Sequence, residues 1–244
     1  MTAPELERPA FYALRTGGWR DLITLLHPPY TAWHLSYVAI GAAAAPALHG
    51  DRLAAALGAF FLGVGVCAHA LDELNGRPLG TALSDRTLVA LAAVGLVGAV
   101  GTGLVGVVVV SVQLAPLVAA GGFIVVAYNL ELFGGRFHSD TWFALAWGAF
   151  PAFTSYWANA LELRPAGVLV TAACFALSAA QRRLSTPARD LRRRTVALSG
   201  EQQLIDGRRV ELSAPALAAP LEGALSALSI AMVLLAAGLV AVRS

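Results

Sequence analysis

The sequence predicts an all-α, polytopic membrane bundle of about seven transmembrane helices, on three observations. Hydrophobic residues make up 57% of the 244 and charged residues only 13%, with a mean hydropathy of +0.68. A soluble domain of this size carries roughly twice that charge density. The apolar residues come in blocks near the roughly 20 residues that a bilayer helix needs, not in the alternation of half-buried strands. The arginines are sorted to alternate ends of those blocks, as the positive-inside rule requires.

Taken in order, residues 1–29 are polar, mixed in charge and carry Pro9, Pro28 and Pro29, so they read as a cytoplasmic N-terminal segment and not a cleavable signal. Residues 30–244 read as a single transmembrane domain with spans at 30–48, 53–74, 87–106, 108–128, 141–160, 165–181 and 220–241. The third and fourth spans are nearly fused. The run is too long for one crossing, and the cluster from Gly101 to Gly106 places the split there. Segment 182–194, "RRLSTPARDLRRR", holds six arginines, and Arg8, Arg15 and Arg20 precede the first span, whereas Arg52 and Arg164 are sparse on the other side. The N-terminus is therefore expected in the cytoplasm, with cytoplasmic connections at 75–86, 129–140 and 182–219. Within the last, Asp206-Gly207 suggests a small hairpin or amphipathic cap. An integral protein of a prokaryotic plasma membrane is the expected setting, with lipid and not nucleic acid as partner. Cys67 and Cys174 fall inside apolar blocks and read as small core residues.

The orientation gathers the unusual polar residues at one end. The second span ends in His69, Asp72 and Glu73, the fourth in Tyr128, Asn129 and Glu131. The first begins near His27, Trp33, His34 and Tyr37, the fifth near Arg136, His138, Asp140 and Trp142, and the sixth ends at Arg182 and Arg183. His69, Asp72 and Glu73 share one helical face and must point into the bundle. A polar cavity under the cytoplasmic surface follows, acidic and aromatic in its walls and arginine-rich at its mouth. That composition suits a divalent cation bridging to phosphate. Plainer readings stand beside this one. Asp72, Glu73 and Arg77 can form an ion network that only fixes helix packing. His69 and Glu73 can ligate a transition metal. The arginine run can be a topology signal and the aromatics an interfacial belt, and the glycine-rich runs read as helix-packing faces.

The order of these features resembles the UbiA superfamily of intramembrane prenyltransferases over roughly residues 28–200. In "GRPLGTALSDRTL", Arg77, Pro78, Leu79, Gly80 and Ser84 are similar to the family's segment after its first aspartate motif. In "AYNLELFGGRFHSDTWFALAWGAFP", Tyr128, Arg136, Gly148 and Pro151 resemble its fourth and fifth helices. The sequence departs from the family in its acidic motifs. "LDELNGRPL" keeps only the head of the first, and "AAQRRLSTPARDLRRRTVALSG" offers only Asp190 for the second, with Thr195 and Gly200 at the family's Thr and closing Gly. The family usually has nine helices.

The resemblance implies an enzyme that ionises an isoprenoid diphosphate and transfers or cyclises the prenyl group. Asp72 and Glu73, with Asn75, would hold Mg2+. Arg77, Arg136 and Arg189 would neutralise the diphosphate. Tyr128, Trp142 and Tyr156 would face the allylic cation, and His69 or Glu131 would serve as general base. The turn at Gly76 and Pro78 would swing Arg77 back over the acids. A lipid- or partner-binding protein that keeps the fold without catalysis is the alternative, and an ion-coupled transporter using Asp72 and Glu73 ranks below both.

Overall fold

A computed structural model describes residues 8–243. The first seven residues of the predicted N-terminal segment, and Ser244, lie outside the described residues. The chain is mostly helical: α1 (Trp19–Leu25), α2 (Pro28–Ala43), α3 (Gly50–Leu74), α4 (Asp85–Val109), α5 (Val112–Asn129), α6 (140–160), α7 (Pro165–Arg193) and α8 (Ala214–Arg243). Each of the seven apolar blocks coincides with one long helix from α2 to α8. Four of these, α3, α4, α5 and α8, are long and apolar enough to cross a membrane. Among the described residues the exception to helix is an antiparallel hairpin of β1 (Glu201–Gln203) and β2 (Arg209–Glu211), exposed along both strands. It realises the turn expected at Asp206-Gly207.

α2 is the central helix. Trp33, Tyr37, Val38 and Ala42 are fully buried, and it packs against α6 and α8, with α7 closing the far side of both. The approaches are close enough to require glycine. A Cβ at Gly41 of α2 would stand 2.0 Å from the Ala152 carbonyl oxygen of α6, and one at Gly148 of α6 2.6 Å from the Cys174 carbonyl oxygen of α7. On the other flank, α4 and α5 pack on α3. α4 leaves Val94, Val97, Leu104, Val105 and Val108 largely exposed, the pattern of a face turned to lipid.

Two boundaries differ from those predicted. Gly101, Gly103 and Gly106 do not split α4; Gly103 packs against Val118 of α5. The break comes at Ser111, whose side chain accepts from Gln113 N and caps the next helix ahead of Pro116. The segment 182–194 is not a loop. α7 continues through it to Arg193 and across Pro187, which turns a run of charges into helical faces. Two wide π turns, Phe61–Ala68 in α3 and Leu145–Ala149 in α6, widen their helices just where each approaches the polar end of the bundle.

Candidate functional site

A cavity of about 370 Å³ opens at the end of the bundle where α3, α5 and α7 finish and α2 and α6 begin. Four of the chain's five histidines line it: His27, His34, His69 and His138. Asp72, Tyr30, Tyr128, Phe143, Trp147, Arg182, Arg189 and Arg193 complete most of its wall, and Pro9 to Tyr12 roof it from the N-terminal segment. The predicted convergence at one end of the bundle is thus what the helices produce.

The histidine rings are held individually. His69 Nδ1 stands 3.0 Å from the Gly65 carbonyl one turn back, inside the π turn. His138 Nδ1 stands 3.0 Å from the Tyr128 carbonyl. His34 Nε2 stands 3.3 Å from Gln181 Oε1. A carbonyl or amide oxygen only accepts, so each of these nitrogens carries a hydrogen, and in the neutral tautomer that this sets, the other nitrogen is bare. His27 is placed differently. It precedes Pro28, which disfavours the right-handed helical region, and it sits in the left-handed region with φ 46°. Its ring stacks on His69 with centroids 4.1 Å apart and planes 10° apart. Burial, reinforced by His69, Arg193 and Arg189, holds the His27 imidazole well below its usual range.

Three buried polar atoms on the wall have no hydrogen-bond partner: His27 Nε2, His34 Nδ1 and the Tyr128 hydroxyl. Buried polar groups ordinarily find a protein, water or ligand partner, and these three lie on residues of one cavity, with Thr154, Ser155, Thr171 and Ser178 likewise unmet elsewhere. The arginines add positive charge. Arg182 is paired with Asp140 at 2.8 Å and lies 5.2 Å over the Phe143 ring, and Arg193 Nε donates to the Pro9 carbonyl at 2.9 Å. Among the described residues Arg189 meets only the Thr186 hydroxyl, at 3.3 Å, and no carboxylate. Burial, with Arg182 and Arg193 nearby, draws its pKa below the usual value, while Tyr30 and Asp72 oppose that shift.

The residues singled out from sequence divide sharply. His69, Asp72, Asn75, Tyr128, Glu131 and Arg189 line the cavity. Glu73 does not. It is 1% exposed and its carboxylate accepts from Leu79 N at 2.9 Å, Thr81 N at 2.8 Å and Thr81 Oγ1 at 2.9 Å. The "GRPLGT" loop is wrapped around it. Arg77 does not swing over the acids either. It has φ 53°, pairs with Asp85 and donates to the Leu83 carbonyl at 2.6 Å, because the loop that Glu73 organises carries it outward. Arg136 is exposed and outside the cavity wall. Trp142 packs edge-on to Phe137, with centroids 4.9 Å apart, in the neighbouring core. Tyr156 lies at the far end of α6, where its hydroxyl donates to the Glu162 carbonyl at 3.0 Å and accepts from Arg164 N at 3.1 Å.

The donor set does not suit the expected magnesium. Of Asp72, Glu73 and Asn75, Glu73 is committed to the loop, and Asn75 is oriented by its Nδ2–H bond to the Asn129 carbonyl at 3.2 Å, which leaves its Oδ1 uncommitted. Among the described residues no group of three or more His, Cys, Asp or Glu side chains is placed to hold a metal ion. The sequence reading gathered His27, His34 and His138 at this end without giving them a role, and did not name Gln181 or the roof residue Tyr12. His27 and His34 carried a signal, lying seven residues and about two helical turns apart. Tyr12, in a segment without periodicity, carried none.

An apolar groove of about 110 Å³ adjoins the cavity between α3, α4, α5 and α6, and Val64 and Trp147 belong to the walls of both. Gly63, Gly103, Gly121 and Gly122 line it. The chain matches no protein-family model, no curated protein and no solved structure.

Proposed function

We propose that the protein is an intramembrane enzyme of UbiA-like architecture that acts on an isoprenoid diphosphate, with seven spans in a prokaryotic plasma membrane and the N-terminus in the cytoplasm. One observation carries this reading. An arginine-lined cavity with three unpaired polar atoms shares Val64 and Trp147 with an apolar groove, which matches an anionic head joined to a hydrocarbon tail. In this reading Arg182, Arg189 and Arg193 hold the diphosphate directly, as planar guanidinium groups can, and do the neutralising that the missing carboxylate cluster would have assigned to magnesium. As the allylic C–O bond breaks, its electron pair leaves with the diphosphate oxygen. The cation faces the rings of Tyr128, Phe143 and Trp147. A proton lost from the acceptor, or from the cyclising chain, passes to the bare Nε2 of His69. Asp72 lies one turn beyond and favours the imidazolium so formed.

The test is incubation of the purified protein with prenyl diphosphates of increasing chain length, with and without magnesium, following pyrophosphate release and products. Turnover that falls on Arg189→Gln and His69→Gln supports the reading; no release at any chain length refutes it. The commitment of Glu73 to its loop favours a second reading, a non-catalytic lipid-binding protein of the same fold. Its signature would be a phospholipid or prenyl phosphate retained through purification without turnover.

A further inference from the structure

We propose that Tyr12, carried on the N-terminal roof, fixes His27 as the tautomer with its hydrogen on Nε2, so that His27 is a neutral donor to the head group while the stacked His69 is an acceptor. The inference rests on the reading of the cavity as a head-group site. It starts from a difference among the four histidines. Three of them face oxygens that only accept, so their ring hydrogens are assigned by their partners. His27 Nδ1 instead faces the Tyr12 hydroxyl at 2.9 Å, which can donate or accept.

Counting unmet groups settles the direction. If His27 Nδ1 donated to the phenol, the Tyr12 hydroxyl hydrogen would find no acceptor among the described residues, and His27 Nε2 would stay bare and buried. Two groups would be unmet. If Tyr12 donates to Nδ1, only the Nε2–H is unmet, and it belongs to the wall that Arg189 and Arg193 also line. The second arrangement leaves less unsatisfied polarity in the closed protein, and the group it leaves is a donor where an anion would sit. Both partners keep the protonation this needs. Burial, with Tyr30 alongside, keeps the Tyr12 phenol well above its usual range, and His27 stays neutral because burial opposes its charge.

The roof is built to hold Tyr12 there. Its ring meets Phe11 and Tyr30 edge-on, with centroids 5.2 and 5.5 Å away. Pro9 is tied to Arg193, and Leu14 N donates to Thr24 Oγ1 at 3.0 Å. His69 then completes a division of labour. Its Nδ1–H is given to Gly65 and its Nε2 is free to accept. Two parallel rings 4.1 Å apart thus present one donor and one acceptor, complementary to a phosphate oxygen beside a hydroxyl. Acting through His27, Tyr12 is a positioning residue.

Two-bond proton–nitrogen correlation spectra of the full chain in detergent, labelled with 15N-histidine and assigned through His27→Gln and His69→Gln, read the tautomers directly. The expected result is Nε2–H for His27 and Nδ1–H for His69. Tyr12→Phe keeps the ring packing and removes only the hydroxyl. It should leave His27 as a mixture of tautomers and weaken binding of inorganic pyrophosphate by about threefold to tenfold, the scale of one neutral hydrogen bond. A wild-type His27 with its hydrogen on Nδ1, or an unaltered His27 signal in Tyr12→Phe, overturns the proposal. The wild-type spectrum decides the first of these even if the variant fails to fold. Correct tautomers in a wild-type protein that binds no pyrophosphate would overturn the head-group reading instead.

Discussion

Replacing Glu73 separates the part of the acidic cluster that builds the protein from the part that faces the cavity. One carboxylate oxygen of Glu73 accepts from Leu79 N, and the other from both Thr81 N and Thr81 Oγ1. In Glu73→Gln the single amide oxygen is best turned toward the two Thr81 donors, which brings the NH2 against the Leu79 N–H. One charge-assisted bond becomes a donor–donor contact, and the other two lose their charge. With about 1.5–3 kcal/mol for a bond to a charged group and about 1 kcal/mol for a neutral one, the expected loss is about 2.5–7 kcal/mol. Glu73→Ala leaves the Leu79 and Thr81 amides without an acceptor and should cost at least as much as Glu73→Gln. Asp72, one residue earlier, is the control. Its carboxylate makes no hydrogen bond to the described residues, so Asp72→Asn should stay within about 1 kcal/mol of wild type. Chemical denaturation in detergent micelles, followed by tryptophan fluorescence, gives all three numbers. Trypsin cleavage after Arg86, just beyond the loop, reports its loosening and should accelerate only in the Glu73 variants. A Glu73→Gln protein as stable as wild type, or an Asp72→Asn protein equally weakened, would show that the loop is not organised around this carboxylate.

Arg189→Gln should weaken pyrophosphate binding at least tenfold with no change in thermal midpoint, since Arg189 meets only a threonine hydroxyl among the described residues; calorimetric titration beside a melting curve checks both halves. Arg77→Ala should leave that binding unchanged and lower stability by about 1 kcal/mol, because its partners Asp85 and the Leu83 carbonyl lie in the loop and not in the cavity. Gly121→Leu should block the groove, where even a Cβ would stand 3.2 Å from the Phe150 ring, and so abolish binding of long prenyl diphosphates while sparing pyrophosphate. His27 sets a pH dependence. Its folded pKa lies below the unfolded value near 6.5, so the unfolded chain binds the proton first. Its contribution is intact above that value and is lost as pH falls below it, by at most about 1.4 kcal/mol per pH unit. Melting curves from pH 7.5 to pH 5 should therefore be flatter for His27→Gln than for wild type.

How much of this was legible in the sequence follows from the range over which each residue acts. The seven apolar blocks are readable because helix burial is a local, periodic property, and the block ends place His69, Asp72 and Tyr128, with Arg189 in the following connection, at one end of the bundle. The errors arose where a neighbour distant in sequence decided the outcome. The cluster from Gly101 to Gly106 looks like a break because glycine is a poor helix former in water, yet at Gly103 close packing against Val118 makes glycine the right residue. The "RRLSTPARDLRRR" run looked like a loop because it is charged. Folded as the last turns of α7, it sends Arg192 to a buried pair with Glu222 of α8 and leaves Arg189 on the cavity wall.

Asp72 and Glu73 show the limit most clearly. They are adjacent, chemically alike and at the end of the same helix, and neither composition nor helical spacing tells them apart. What separates them is the "GRPLGT" loop, which needs an acceptor for its own amides and takes the nearer inward carboxylate. The requirement that every buried N–H find a partner thus removes one acid from the cavity, and with it the adjacent carboxylate pair at the head of the motif, while Asp72, Glu131, Asp190 and Glu222 stay in the wall. The same rule applied to the cavity wall has the opposite effect. His27 Nε2, His34 Nδ1 and the Tyr128 hydroxyl are left unmet on residues of that wall, and Arg189 hydrogen-bonds only a threonine hydroxyl among the described residues. In the proposed reading these are the groups, with the arginines beside them, that a head group would meet.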